Sequence, residues 1–217
     1  MIAEALERLC ERGPWRLGQV LASRAPEGTF TLQHEADARL GHEGDVAPRH
    51  LLSPEEVRDW VRYDWAGRYR PLKGAPTLRR GWFFETPSVR DLHRALDFIY
   101  PGAIGSWLAW RSSNLPVVHL RQTLGRQSGL YRVTRKLTDD EADRMIGRFC
   151  QSETGCLRTI LWRIDEARPV SSLPGNKFDP HADQLGRPGA CVPVLCAEPC
   201  NLLVAEARAV VKKQREA

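Results

Sequence analysis

The sequence predicts an α+β architecture: a small N-terminal hairpin-plus-helix domain over residues 1–86, followed by a helix-rich domain over residues 87–217. Three observations carry this expectation. Two β-type stretches, Trp15 to Ala22 and Thr29 to Gln33, flank the turn sequence Ala25-Pro26-Glu27-Gly28. From Ser88 onward, apolar residues recur at helical spacing. Five of the six cysteines lie in the last third of the chain, and the final one runs into an amphipathic stretch.

In chain order, residues 2–12 read as a short helix with Ile2, Leu6 and Leu9 on one face, stopped by Gly13-Pro14. After the hairpin, Gly41 to Asp45 reads as loop. Ser53-Pro54-Glu55-Glu56 starts a helix, because Ser53 can accept from an amide three residues on and Pro54 gives up no needed donor at the first helical position. Gly67 to Gly81 is rich in Arg, Pro and Gly without periodicity, and is expected to be a connector or mobile loop. Gly81 to Glu85 reads as a strand. Ser88 caps a helix carrying Val89, Leu92, Leu96 and Ile99, and short helices follow at Ala103 to Trp110 and Val118 to Gly125. Thr138-Asp139-Asp140-Glu141 is a second capping box, leading a helix that delivers Cys150 at its carboxyl end. Leu157 to Ile164 is apolar enough to be a buried strand or helix anchored by Trp162. Residues 167–190, with four prolines, read as a long irregular loop.

Composition narrows the class. With 217 residues, 27% charged and 42% hydrophobic, the chain is an ordinary globular sequence. It carries 32 Lys+Arg against 27 Asp+Glu, a net charge of +5, which suits an acidic ligand without demanding one. No apolar run approaches the roughly 18 residues of a membrane span. The N-terminal residues Met1 to Leu9 carry acids and lack the apolar core of a secretory signal. The expectation is therefore a cytoplasmic protein, where clustered cysteines bind metal more often than they form disulfides.

The cysteines follow the pattern C-x5-C (Cys150, Cys156), a long gap, then C-x4-C-x3-C (Cys191, Cys196, Cys200). Four thiolates brought together after such an excursion point to a metal or an iron–sulfur centre, with disulfides and unpaired thiols as the alternatives. Pro199 suits the first turn of a helix running through Leu203, Ala207, Val210 and Val211. That reading puts Cys196 just before the helix and Cys200 in its first turn, where the positive end of the dipole favours thiolates and an anionic cluster. Zinc also accepts four thiolates, but its structural sites use tighter knuckles than C-x5-C and C-x3-C.

The run Ala95-Leu96-Asp97-Phe98-Ile99-Tyr100-Pro101-Gly102-Ala103 and the run Leu120 to Tyr131 resemble a segment found beside chelatase domains. With Cys150, Cys156-Leu157-Arg158 and Cys196-Ala197-Glu198-Pro199-Cys200-Asn201, they resemble the iron–sulfur region of multidomain CbiX-type sirohydrochlorin chelatase proteins of the Deinococcus kind. The resemblance spans residues 80–210 and extends more weakly toward the N terminus. It implies a 4Fe-4S cluster domain accompanied by a small stabilising domain, and it selects Cys150, Cys156, Cys196 and Cys200 as ligands. Cys191 is then a neighbour of the set, and Cys10 a core thiol.

The resemblance carries no chelatase activity over. The histidines His34, His42, His50, His93, His119 and His181 are scattered, no chelatase histidine motif is present, and no catalytic residue is assigned. His93 reads as a helix-surface residue. His181 could stand in for a thiolate, and His34 with His42 could form a second metal site, but each is the weaker reading. Arg121, Arg126, Arg132 and Arg135 approach the cysteine segment and could receive an acidic tetrapyrrole such as sirohydrochlorin through bidentate carboxylate contacts. The 8% aromatic content includes no stacking motif, which argues against nucleic acid. Three readings stand: an iron–sulfur accessory protein of tetrapyrrole (sirohaem or cobalamin) biosynthesis working with a separate chelatase or redox partner; a stand-alone electron-transfer protein; and a zinc-stabilised interaction or nucleic-acid-binding module.

Overall fold

The structure, a computed structural model, describes residues 1–40, 47–70, 72–127, 129–152, 155–164 and 190–216. In chain order the elements are α1 (Ile2–Glu11), β1 (Trp15–Leu17), β2 (Val20–Arg24), β3 (Phe30–His34), α2 (Glu35–Leu40), β4 (Arg49–Leu51), α3 (Pro54–Val61), β5 (Trp82–Thr86), α4 (Val89–Ile99) and α5 (Ala103–Arg111). Then come α6 (Leu120–Gly125), a 3-10 helix (Gly129–Lys136), α7 (Asp139–Phe149), β6 (Thr159–Ile160), β7 (Ala190–Val192), β8 (Leu195–Cys196) and α8 (Asn201–Glu216). The fold class is α+β, with helices set on a mixed sheet. The chain divides into two compact units: Met1–Arg111 with residues 190–194, and residues 112–164 with Leu195 onward.

The first unit is a six-stranded sheet of order β4-β5-β3-β2-β1-β7. Its middle is antiparallel, with Ala22 opposite Leu32 and Leu32 opposite Phe84, while β4 and β7 add parallel strands at the two edges. Alternation along β5 buries Trp82, Phe84 and Thr86. Against the sheet pack α4, burying Leu92, Ala95, Leu96 and Ile99, and α1, burying Ala5, Leu6, Leu9 and Cys10. Both caps that start helices here form: Ser53 Oγ accepts from Glu56 N–H at 3.2 Å, and Ser88 Oγ from Asp91 N–H at 3.2 Å. Glu56 reaches back to the Leu52 amide.

Several expectations change. The boundary at 86/87 falls inside this unit, because α4 packs on α1, α3 and β3, and α5 on α1; the division comes after Arg111. The stretch Trp15 to Ala22 is two strands, broken by a tight turn at Gly18. Gly18 has φ +56°, and the next amide, Gln19 N–H, donates to the buried Tyr100 hydroxyl at 2.9 Å. A Cβ at Gly18 would stand 2.6 Å from Tyr100 Cζ. Gly18→Ala is therefore expected to lower stability by at least about 1–2 kcal/mol from the left-handed backbone alone, with the ring clash adding to it. A shift of the urea midpoint to lower concentration at unchanged slope is the reading.

The segment before β5 is not a featureless connector. Asp64 Oδ1 accepts from the amides of Ala66 and Arg68, each at 2.9 Å, closing a turn flanked by the bridges Tyr63–Tyr69 and Asp64–Leu78. Arg70, only 2% exposed, then donates to Thr77 Oγ1 and to the carbonyls of Lys73 and Ala75, so one guanidinium organises the loop.

His34 is buried at the end of β3, its Nδ1 accepting from Ala36 N–H at 3.0 Å. Burial lowers its pKa from 6.5; Asp37 and Glu35 oppose this, while Arg80 and Arg70 reinforce it. The unfolded chain thus takes up the proton that the folded chain refuses. The stability contributed by neutral His34 is fully present above pH 6.5 and declines as pH falls toward the lowered folded value. Thermal melting temperatures should drop as pH falls below 6.5, and His34→Gln should flatten that part of the profile. His42, its suggested metal-binding companion, lies outside the described residues, as do His181, the Gly41 to Asp45 loop and nearly all of the 167–190 loop.

Candidate metal centre

The second unit has its own apolar core, in which Leu120, Leu124, Met145, Ile146, Ile160, Trp162, Leu203, Val204 and Val211 are buried. Cys150, Cys196 and Cys200 pack half-buried against it. Three local structures place the thiols. The first is α7, begun by a complete capping box: Thr138 Oγ1 accepts from Glu141 N–H, and Glu141 accepts from Thr138 N–H at 2.8 Å. Cys150 caps its carboxyl end, the amide donating to Ile146 O.

The second is the curl after that helix. Gly155 N–H donates to Ser152 O at 2.8 Å, and Cys156 N–H returns to Cys150 O at 3.1 Å. A Cβ at Gly155 would lie 2.9 Å from Ser152 O and 3.1 Å from Cys150 O, so this curl closes only around glycine. The third is the parallel pair β6–β8, with Ile160 opposite Cys196 and Leu161 N–H donating to Cys196 O at 2.9 Å. Arg158 braces the pair through Leu195 O at 3.1 Å. The chain then turns into α8, which begins at Asn201, so Pro199 and Cys200 precede the first turn in which the sequence had placed them. Cys200 is its N-cap, its carbonyl accepting from Val204 N–H at 3.1 Å. The amino end of a sixteen-residue helix therefore opens beside this thiol.

All six cysteines are free thiols. Burial and neighbouring sulfurs raise the thiols of Cys150, Cys156 and Cys196. Burial pushes the Cys150 thiol up to about 12, and Cys156, Cys200 and Cys196 add to the rise. Burial pushes Cys196 up to about 11, with Cys200 and Cys156 adding and with Trp162 and the Arg158 charge opposing. Cys156 is raised by burial and held back by the Arg158 amide and guanidinium. Such thiols are protonated at neutral pH, and the Cys196 S–H donates to Glu198 O at 3.3 Å. A bound cation would have to displace these protons, as thiolate-ligated metals do.

The donor set fits an iron–sulfur group in two respects. Four half-buried cysteine sulfurs in one unit match in number the ligand complement of such a cluster. Among the described residues, however, no three His, Cys, Asp or Glu side chains close around a single ion. In addition, the Trp162 indole nitrogen is buried with no hydrogen-bond partner although the residue is only 1% exposed. It lies near enough to Cys196 to lower that thiol's pKa but outside hydrogen-bond geometry. Sequence reasoning took Trp162 only as an anchor and gave Arg158 no role at the site. The sole signal was that Arg158 follows Cys156 by two residues.

The two remaining cysteines belong to the first unit. Cys10 is buried and accepts from Trp15 Nε1–H at 3.3 Å, while Cys191, on β7, lies 3.6 Å from Arg16 Nη2. The arginines named as a basic face are engaged with their own unit. Arg121 bonds Asp139 and Leu137 O, Arg126 pairs with Glu198, and Arg135 donates to Gly125 O at 2.9 Å; Arg132 is exposed. Among the described residues no helix is long and apolar enough to cross a membrane.

Comparison with known proteins agrees with the division at Arg111. Residues 112–209 match the model of a 4Fe-4S iron–sulfur cluster binding domain. Residues 2–111 match the DR2241 stabilising domain. No curated protein matches the chain. Among solved structures it is similar to DR2241 from Deinococcus radiodurans, described as a multi-domain protein with structural similarity to chelatases and two additional novel domains. Identity is 31% over 97% of this chain, with a TM-score of 0.75, and the chain spans 41% of that protein's length. The stabilising-domain match alone takes in half of the sequence, and the chain belongs to the DR2241 stabilising-domain family, continued by residues that match a 4Fe-4S iron–sulfur cluster binding domain.

Proposed function

We propose that this protein binds one 4Fe-4S cluster through Cys150, Cys156, Cys196 and Cys200, and that it serves a chelatase-like protein or a redox partner in tetrapyrrole metabolism. The observation that carries the reading is the presence of four half-buried free thiols inside the unit that matches a cluster-binding domain, with the other three sulfurs acting on Cys150. A bound cluster would supply one-electron chemistry. The chain itself supplies four sulfurs, the Arg158 charge beside Cys156 and Cys196, and the amino end of α8 at Cys200.

The partner side of the proposal rests on the chelatase-like character of the Deinococcus protein, of which this chain spans 41%. An acidic macrocycle or an acidic chelatase face would approach the side of Arg121, Arg126, Arg132 and Arg135. With Arg121 and Arg126 already paired to Asp139 and Glu198, exposed Arg132 becomes the leading contact. Anaerobic reconstitution with iron and sulfide tests the cluster, through visible absorption that bleaches on reduction; a colourless protein loaded only with zinc overturns it. Titration of sirohydrochlorin, and separately of a single-domain chelatase, into the loaded protein tests the partner. Binding should weaken in Arg132→Ala and at high salt, where screening shortens below the ~8 Å of physiological ionic strength. Binding to neither at low salt overturns the tetrapyrrole reading and leaves electron transfer.

A further inference from the structure

We propose that Trp162 sets the reduction potential of the centre, its indole N–H donating to the Cys196 sulfur once that sulfur is a metal-bound thiolate. The inference rests on the cluster reading above and adds a role for a residue outside the ligand set.

The geometry comes from the short parallel ladder. Ile160 and Cys196 are register partners, so their side chains leave the same face, and alternation along the chain returns Trp162 to that face two residues later. The ladder continues past β6 through Leu161 N–H to Cys196 O at 2.9 Å, so Trp162 directly follows the residue bonded to Cys196. Its ring is packed in the core of the unit and cannot turn to water. Its Nε1–H nevertheless has no acceptor. A buried donor left unpaired is costly, and native structures rarely keep one without a reason.

In the thiol form of Cys196 the bond is not made. A thiol sulfur is a weak acceptor, and the Cys196 proton is directed to Glu198 O. Loss of that proton releases the sulfur from the carbonyl and turns it into an anionic acceptor, to which the indole can donate. The same pairing of side chains exists in the first unit, where Trp15 Nε1–H donates to Cys10 Sγ at 3.3 Å.

Hydrogen bonds to ligand sulfurs raise the potential of iron–sulfur centres, because added negative charge on sulfur strengthens them. One electron enters from an external reductant such as dithionite, and Trp162 keeps its proton throughout. Trp162→Phe retains an aromatic ring but no donor. The loaded variant should hold the same iron and sulfide as wild type while reducing about tenfold less readily, a fall of about 59 mV for one electron. A merely structural role for the ring would leave the potential in place.

A second measurement needs no variant. Protein grown on tryptophan labelled with 15N at the indole, loaded and reduced, should show a 15N hyperfine coupling in pulsed electron paramagnetic resonance, and this coupling should be absent from Trp162→Phe. An unchanged potential in a fully loaded variant, or a reduced wild type lacking the coupling, overturns the proposal. If Trp162→Phe fails to load, the wild-type coupling decides alone. A wild type that takes up no iron and sulfide overturns the cluster reading itself, an outcome separate from a loaded protein without the coupling.

Discussion

Alanine at any one of Cys150, Cys156, Cys196 or Cys200 should strip the reconstituted protein of nearly all its iron and acid-labile sulfide, whereas Cys191→Ala should leave both at wild-type level. The asymmetry follows from where the thiols sit. Four belong to one unit, where neighbouring sulfurs help raise the Cys150 and Cys196 thiols, while Cys191 belongs to the sheet of the other unit, next to Arg16. Cys10→Ala should also keep the cluster, though it removes a buried acceptor from Trp15 and should cost stability of about 1–3 kcal/mol. Iron and sulfide assays on the six single variants, reconstituted side by side without oxygen, give the result. Full loading of any one of the four removes that residue from the ligand set. Loading of Cys196→Ala together with loss in Cys191→Ala would exchange those two.

Removing the iron should loosen the second unit and leave the first intact. The two cysteine stretches are far apart in sequence, and the described backbone joining them is only the two-residue pairing of β6 with β8. A cluster that ties both stretches together adds its binding free energy to folding, as structural metals do. Hydrogen–deuterium exchange on loaded and iron-stripped protein should show the amides of Cys150, Cys156, Leu161 and Val204 losing protection, since each is bonded within or beside the cysteine segments. Protection in β1, β2, β3 and β5 should not change. Equal exchange at those four amides in both forms would mean that the fold stands without the cluster.

What could be read from sequence follows the range of the forces involved. Ser53, Ser88 and Thr138 act on amides three residues away, so each cap was visible in a few letters and each forms. The helical faces of α1, α4 and α7 were legible for the same reason. Strand partners are another matter. The parallel additions β4 and β7, three residues each, have no local signature, since a parallel strand is defined by a partner remote in the chain. The tight turn at Gly18 was hidden because its cause, the Tyr100 hydroxyl, is 81 residues away. At the metal centre the cysteines announced themselves through spacing and chemistry. Trp162 and Arg158 did not, because an indole or a guanidinium near sulfur shows no pattern until β6 and β8 are paired.

The parallel strand β7 has a consequence for the order of synthesis. Strand β1 emerges from the ribosome some 175 residues before its partner on that side, Ala190 to Val192. Until then β1 presents an open edge of amides and carbonyls, the kind of edge that recruits strands from other chains. The N-terminal unit can therefore collapse early around its α1 and α4 helices but cannot complete its sheet until the cysteine-bearing region has been made. Just two residues, Pro193 and Val194, separate the strand that closes this sheet from the strand that carries Cys196. Completion of the first unit and delivery of the second cysteine pair thus fall within the same moment of translation, and a nascent chain cut short before residue 190 would have neither.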